Sequence, residues 1–173
     1  MTIRTILTYP NPLLRQKAKP VGIFDNELER FINDMVETMY DAPGVGLAAT
    51  QVGDPRQLIV VDISKEKGEK DFMPLINPRI ISSEGQQIDE EGCLSVPEIT
   101  SNVKRFKKIV VTYQNITGET AEITAEERFA VVLQHEIDHL HGILFIDHLS
   151  PLKRQLYKKK VKKMLLSEER PSG

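Results

Sequence analysis

Apolar residues recur at helical spacing early in the chain and predict its first helix. The positions of the apolar face are Leu28, Phe31, Ile32, Met35, Val36 and Met39. This spacing fits one face of a 3.6-residue repeat. Asp25, directly before the pattern, is a residue type that favours the N-cap. We therefore predict a helix from about residue 26 to 40.

Short runs of β-forming residues occupy the middle of the chain, separated by turn residues. The turns are marked by Lys67-Gly68, Asn77-Pro78, Glu84-Gly85 and the stretch 115–118. The strands predicted between these turns are 57–63, 75–82, a short piece at 93–99, 108–114 and 120–124.

Helical spacing returns in the last third of the chain. The stretch Thr124 to Glu127 matches a capping box and predicts the start of a helix that ends at Gly142. Ser150-Pro151 offers an N-cap and a proline for a third helix at about 151–166. One helix, a block of strands and two further helices predict an α+β fold, with antiparallel or mixed strands packed around the second helix.

The composition is that of one globular domain, expected to span residues 1–173. The chain is 40% hydrophobic and 28% charged. It contains no secretory signal and no long apolar run, so we expect a cytoplasmic protein without a membrane partner. A single cysteine, Cys93, excludes an internal disulfide.

The net charge of −2 conceals a basic C-terminal segment. Seven basic residues and no acid lie between Pro151 and Lys163, and the remaining 16 basic and 25 acidic residues leave −9 on the rest of the chain. Such a helix is either a solvated lysine-rich face or a surface for RNA. An RNA-binding or ribosome-binding module is therefore the non-enzymatic alternative, and nothing in the sequence indicates DNA binding.

The stretch DAPGVGLAATQ, residues 41–51, contains glycines at the spacing of a dinucleotide-binding loop. That loop requires a strand before its glycines and a full helix after them. Here a predicted helix precedes the glycines, and Gly53-Asp54-Pro55 interrupts the chain soon afterwards. We reject a dinucleotide site and expect the glycines to bring the backbone close to another group.

The strongest chemical signal is the HEIDH sequence from His135 to His139. Residues four apart lie on one helix face, so the two imidazoles can bind one metal ion while Glu136 reaches a water molecule beside it. Two surface histidines are the alternative. The preceding apolar run 130–133 favours a partly buried face, where unpaired histidines are poor core residues.

Two histidines need a third ligand. Metalloproteases with this motif take it downstream, as a His six residues on or a later Glu, but Phe145 stands at that position here. His141 lies on another part of the helix surface. Cys93 is the best remaining candidate, with Gly92 allowing close approach of the backbone, although a lone cysteine is also typical of a buried inert thiol. Cys-His-His with one open position is typical of catalytic sites.

Three segments together resemble the signature motifs of the peptide deformylases. They are GVGLAATQ at 44–51, EGCLS at 91–95 and QHEIDHLHG at 134–142. The stretches ILTYPNPLL at 6–14 and LSPLKR at 149–154 are also similar to bacterial members. The resemblance covers most of the chain.

The resemblance implies an enzyme that removes the formyl group from the N-terminal formyl-methionine of new polypeptides. It implies Cys93, His135 and His139 as metal ligands and Fe²⁺ as the metal, with Zn²⁺ or Ni²⁺ as substitutes. Formyl-methionyl nascent peptides, and the ribosome through the basic helix, are the partners it implies. A zinc endopeptidase is the competing enzyme, disfavoured by the missing downstream ligand and by the cysteine.

Further roles follow from the same resemblance. The side-chain amide of Gln51 and the backbone N–H of Leu94 are implied as oxyanion donors, and Glu136 as the acid and base. The implied substrate-binding positions are Val45, Gly46, Glu91, Gly92, Val131 and Val132. We also expect Asp138 to orient a ligand imidazole, with a solvated acid on the helix surface as the alternative.

Two positions depart from the family pattern. Arg128 stands where bacterial members tend to be apolar, and Thr100 where many carry a basic residue. Both are expected at the rim of the site, where they would affect preference among substrates.

Overall fold

The strands form two antiparallel sheets in the computed structural model, which describes residues 2–168. The larger sheet has the order β1-β2-β3-β6-β7, and its strands are β1 (Gly46–Ala48), β2 (Leu58–Asp62), β3 (Phe72–Glu84), β6 (Lys108–Gln114) and β7 (Thr120–Glu126). The smaller sheet pairs β4 (Gln87–Cys93) with β5 (Val96–Arg105).

Three α-helices accompany the sheets: α1 (Asn26–Asp41), α2 (Glu127–Leu140) and α3 (Pro151–Glu168). The predicted α+β class is confirmed, with α2, the helix that carries HEIDH, at the centre. Asp25 caps α1 as expected, because its carboxylate accepts a hydrogen bond from the N–H of Leu28 at 3.0 Å. No helix among residues 2–168 is long and apolar enough to cross a membrane.

Strand β2 lies between two layers of helix. Leu58 and Val60 pack into the cluster around α1, whereas Ile59 and Val61 pack into the cluster around α2. Alternate side chains of a strand point to opposite faces, so a continuous apolar run is needed where both faces are buried. The large sheet therefore holds α2 firmly on one face.

The small sheet and α3 share a third cluster of buried residues. Tyr157 and Val161 of α3 pack there with Val96 and Val103 of β5. The hydroxyl of Tyr157 also donates a hydrogen bond to the carbonyl oxygen of Pro97 at 3.1 Å. α3 therefore lies along the start of β5.

The start of α2 differs from the prediction. Thr124 does not cap the helix, because it lies within β7, and the N-cap is Glu126, whose side chain makes no capping hydrogen bond. Pairing of β7 with β6 continues to Glu126, opposite Lys108. Residues 124–126, which the capping-box motif assigned to the start of the helix, are therefore paired with β6 in the sheet.

Two strands were missed in the sequence. The short piece predicted at 93–99 is wrong, because a tight turn after Cys93 separates β4 from β5, which pair from Gln87 opposite Arg105 to Cys93 opposite Val96. The glycine stretch also contains β1, which pairs with β2 from Gly46 opposite Val61 to Ala48 opposite Ile59.

Candidate active site

A cavity of about 510 Å³ opens between β1, the turn from β4 to β5 and helix α2. Of the site residues predicted from sequence, it is lined by Val45, Gly46, Gln51, Glu91, Gly92, Cys93, Leu94, Val131, Val132, His135 and Glu136. His139 lies behind these side chains, in contact with Cys93. The structure therefore brings together segments that lie about 90 residues apart in the chain.

Three atoms that could bind a metal ion meet at the inner end of the cavity. The sulfur of Cys93 and one ring nitrogen each of His135 and His139 lie within 4.8 Å of one another, and Cys93 Sγ is 3.3 Å from His139 Nε2. Both histidines come from one face of α2, and the cysteine ends β4. A thiolate and two imidazoles suit zinc or iron, so the residues present fit a metal ion.

The environment of the two histidines differs. Burial and the neighbouring His135 hold the pKa of His139 well below its usual value, so its ring is neutral and can act as a ligand. Burial opposes a charged His135, but hydrogen bonds to Cys93 and Glu91 raise its pKa to about 10. A metal ion bound to the ring would replace that extra proton, because a ligand imidazole is neutral.

Glu136 is a buried carboxyl group beside the cluster. Burial raises its pKa to about 7, and its Oε2 has no hydrogen-bond partner among residues 2–168. A carboxyl group whose pKa lies near neutrality can both accept and donate a proton. Glu136 has the chemistry of a general acid and base.

The position of Gly46 explains why the stretch DAPGVGLAATQ carries glycine. A Cβ atom at this position would lie 2.8 Å from both Cγ and Oε1 of Glu136. The backbone of β1 therefore passes directly against the carboxyl group, as expected of glycines that permit close approach rather than phosphate binding.

Gln51 is held in one orientation. Its Oε1 accepts a hydrogen bond from the N–H of Ala48 at 2.9 Å, and its Nε2 donates to Ser95 Oγ at 3.0 Å. The same nitrogen lies 3.7 Å from Cys93 Sγ. The amide is thus fixed with its donor end at the ligand cluster; Ser95, which orients it, was not singled out in the sequence.

Glu91 lies behind His135. Its carboxylate is buried, with Oε1 2.9 Å from His135 Nδ1. Because an ionised carboxylate can only accept, it keeps the proton on Nδ1 and leaves Nε2 to bind. Arg105 donates two hydrogen bonds to the carboxylate, at 2.8 and 2.9 Å. Burial opposes the charge, but Arg105 and His135 lower the pKa of Glu91 to about 2.

Asp138 takes a different position from the one expected. Its Oδ2 lies 2.6 Å from Arg105 Nη1 and 2.9 Å from His148 Nε2, and among residues 2–168 its side chain forms no hydrogen bond with His135 or His139. Glu91 has the position beside a ligand imidazole that we expected for Asp138. Sequence reasoning missed Arg105, although it follows Val103 by two residues and so shares its buried face of β5.

The outer part of the cavity is apolar on one side and charged at its rim. Val131 is buried and Val132 half-buried on α2, one turn before His135. Arg128 and Thr100 lie at the rim, as expected, and both line the cavity. The guanidinium of Arg128 donates to Asp89 Oδ2 at 2.8 Å.

We predict that Glu91→Gln weakens metal binding by about 10- to 100-fold, because His135 loses the charged partner that orients its ring. Competition with a chelator measures the affinity. Glu90→Gln is the matched control, since Glu90 neighbours Glu91 on the exposed face of β4. Equal affinity of the Glu91 variant and the control would contradict this role of Glu91.

Comparison with known proteins gives a consistent result. A family model described as polypeptide deformylase matches residues 3–155. A peptide deformylase of Desulfotalea psychrophila is 56% identical over 167 residues, covering 96% of this chain and 99% of the relative. Another, of Syntrophobacter fumaroxidans, is 52% identical over 165 residues, covering 95% of this chain and 97% of the relative.

Solved structures agree with this result. A crystal structure of a peptide deformylase from Legionella pneumophila has a TM-score of 0.88 and 48% identity, covering 98% of this chain and 100% of that one. The peptide deformylase of Ehrlichia chaffeensis, solved in complex with actinonin, has a TM-score of 0.89 and 35% identity, covering 99% and 100%. The resemblance noted in the sequence is confirmed: the chain belongs to the polypeptide deformylase family.

Proposed function

We propose that this chain is a metal-dependent hydrolase that removes the formyl group from the N-terminal formyl-methionine of newly made polypeptides and releases formate. Family membership supports the reaction. The observation that best supports the site is the meeting of three ligand atoms with Glu136 and Gln51 at one end of a single cavity. The same membership disfavours a zinc endopeptidase.

Cys93, His135 and His139 would hold the metal. A divalent ion held there would make a water molecule more acidic and would polarise the formyl carbonyl. Glu91 keeps His135 in the binding tautomer, and the buried, uncharged His139 offers its Nε2 to the same point.

Glu136 moves the proton. Its carboxylate accepts a proton from the attacking water, whose oxygen forms a bond to the formyl carbon. The C–N bond then breaks, and Glu136 returns the proton to the leaving amine. The products are formate and a free N-terminal amine. The pKa of about 7, raised by burial, suits a group that must both take and give a proton near neutral pH.

Gln51 and Leu94 stabilise the oxyanion that develops on the formyl oxygen. The amide of Gln51 is fixed by Ala48 and Ser95, so its donor needs no reorganisation during the reaction. Leu94 follows Cys93 directly, in the turn between β4 and β5, and its backbone N–H is the second donor we propose.

The substrate lies along the cavity. Its main chain runs beside Val45 and Gly46 on one side and Gly92 on the other. Val131 and Val132 form the apolar pocket for the methionine side chain, which fits their burial on α2 beside His135. We propose that residues 1–173 act as one catalytic unit in the cytoplasm, where formylated chains are made.

Glu136→Gln should retain its metal while losing about 10²- to 10⁴-fold in turnover, because the amide cannot exchange the proton. Formate release from a formyl-Met peptide measures turnover, with metal analysis on the same sample. Glu126→Gln is the control, since Glu126 is an exposed acid just before the same helix. Near-normal turnover by Glu136→Gln would remove it from this role.

We further propose that the metal is Fe²⁺, with Zn²⁺ or Ni²⁺ able to substitute. A thiolate ligand and Fe²⁺ are both oxidisable, so protein purified without oxygen should lose activity in air. The same protein reconstituted with Ni²⁺ should remain active in air. A ferrous enzyme that stays fully active in air for days would contradict the assignment.

We also propose that α3 binds the ribosome. Lys158, Lys159 and Lys162 are exposed on this basic helix, and the rest of the chain is acidic. Reversal of all three to glutamate should weaken co-sedimentation with ribosomes. Binding of the unmodified protein should fall steeply with salt, because phosphate contacts release counterions.

The matched control replaces Lys17, Lys65 and Lys67 with glutamate. These lysines are exposed outside α3, and their replacement changes the net charge as much as the α3 variant does. This control should bind ribosomes as the unmodified protein does. If the α3 variant binds equally well at the same ionic strength, the helix is only a solvated surface.

A further inference from the structure

A second groove adjoins the cavity of the active site. It has a volume of about 280 Å³ and lies between β5 and helix α3. Its lining includes Glu98, Ile99, Thr100, Lys153, Leu156 and Lys160. Three of these residues, 98–100, also line the cavity. The cavity and the groove therefore share this part of β5 as a common wall.

The groove is held open by contacts between α3 and β5. The buried Tyr157 donates its hydroxyl hydrogen to the carbonyl oxygen of Pro97, and Lys160 Nζ donates to the carbonyl oxygen of Glu98 at 3.2 Å. Leu149 is buried beneath, in the same cluster as Tyr157. These contacts fix the walls of the groove.

The surface of the groove is apolar and positively charged. Leu156 is 57% exposed although it is a large apolar side chain. Lys153 and Lys160 flank it, and the acid of the groove, Glu98, has its carboxylate 3.9 Å from Lys160. The segment from 151 to 163 contains no acid, so the potential along α3 is positive.

We propose that this groove binds the part of the nascent peptide that follows the residues in the cavity, and that it favours acidic side chains there. The proposal rests on the proposed function, because it is the formyl-methionine at the metal ligands that anchors the peptide. An extended chain advances roughly 3.3 Å per residue, so residues beyond the first few must leave the cavity. The wall at 98–100 leads them into the groove.

The test compares three formyl-Met peptides at low ionic strength. One is a tripeptide; two are nonapeptides that share its sequence and carry four aspartates or four lysines at positions five to eight. We expect kcat/KM to be about three- to tenfold higher for the acidic nonapeptide than for the basic one, because two exposed lysines attract the aspartates. The difference should appear in KM.

The variant Lys153→Glu with Lys160→Glu should remove or reverse this preference. The control is Lys158→Glu with Lys162→Glu, the same change of charge on the opposite face of the helix, because successive residues are about 100° apart around its axis. The control should keep the preference. The glutamates could displace α3 by repelling Glu98. The double variant Lys153→Ala with Lys160→Ala adds no such repulsion, and it must still lower the preference for the acidic nonapeptide.

Each outcome separates the proposals. Failure to deformylate the tripeptide would count against the proposed function itself. If the tripeptide is deformylated but the two nonapeptides have equal kcat/KM, only the proposed binding in the groove is overturned. An equal loss of preference in the groove variant and the control would assign the effect to the electrostatic field of α3 as a whole. That result would also overturn the proposed binding in the groove.

Discussion

A buried carboxylate, Glu91, joins the small sheet to the central helix, and the geometry of the site depends on it. Glu91 lies on β4, accepts two hydrogen bonds from Arg105 of β5 and contacts His135 of α2. Burying a charge is costly unless it is paired and hydrogen-bonded, and here both oxygens have partners. Cys93 follows Glu91 by two residues on the same strand, so the contact that orients one candidate ligand also places another.

The candidate active site is therefore built from two parts that meet at one point. The large sheet holds α2 with its two histidines, and its strand β1 brings Gly46 against Glu136. The small sheet supplies Cys93. A metal ion bound to all three ligands would connect the two parts, so its binding free energy would also stabilise the folded chain.

Much of this arrangement was predictable from local pattern. Helical spacing placed α1, and the spacing of His135 and His139 indicated a shared metal. Strand β4, with the sequence QIDEEGC, was not predictable, because it belongs to a two-stranded sheet with exposed side chains and lacks an apolar run. The role of Glu91 was missed for a related reason: a buried acid is stabilised by Arg105, which stands among other basic residues and has no local signature. Tertiary pairing likewise overrode the capping motif at Thr124.

The central claim is that Cys93 binds the same metal ion as the two histidines of α2. Replacing the metal with Co²⁺ tests it directly, because a cobalt–thiolate bond gives a charge-transfer absorption that imidazole and carboxylate ligands do not. The unmodified protein should show this absorption, and Cys93→Ser should lose it while still binding cobalt through the histidines, only more weakly. An unchanged charge-transfer absorption in Cys93→Ser would contradict the account.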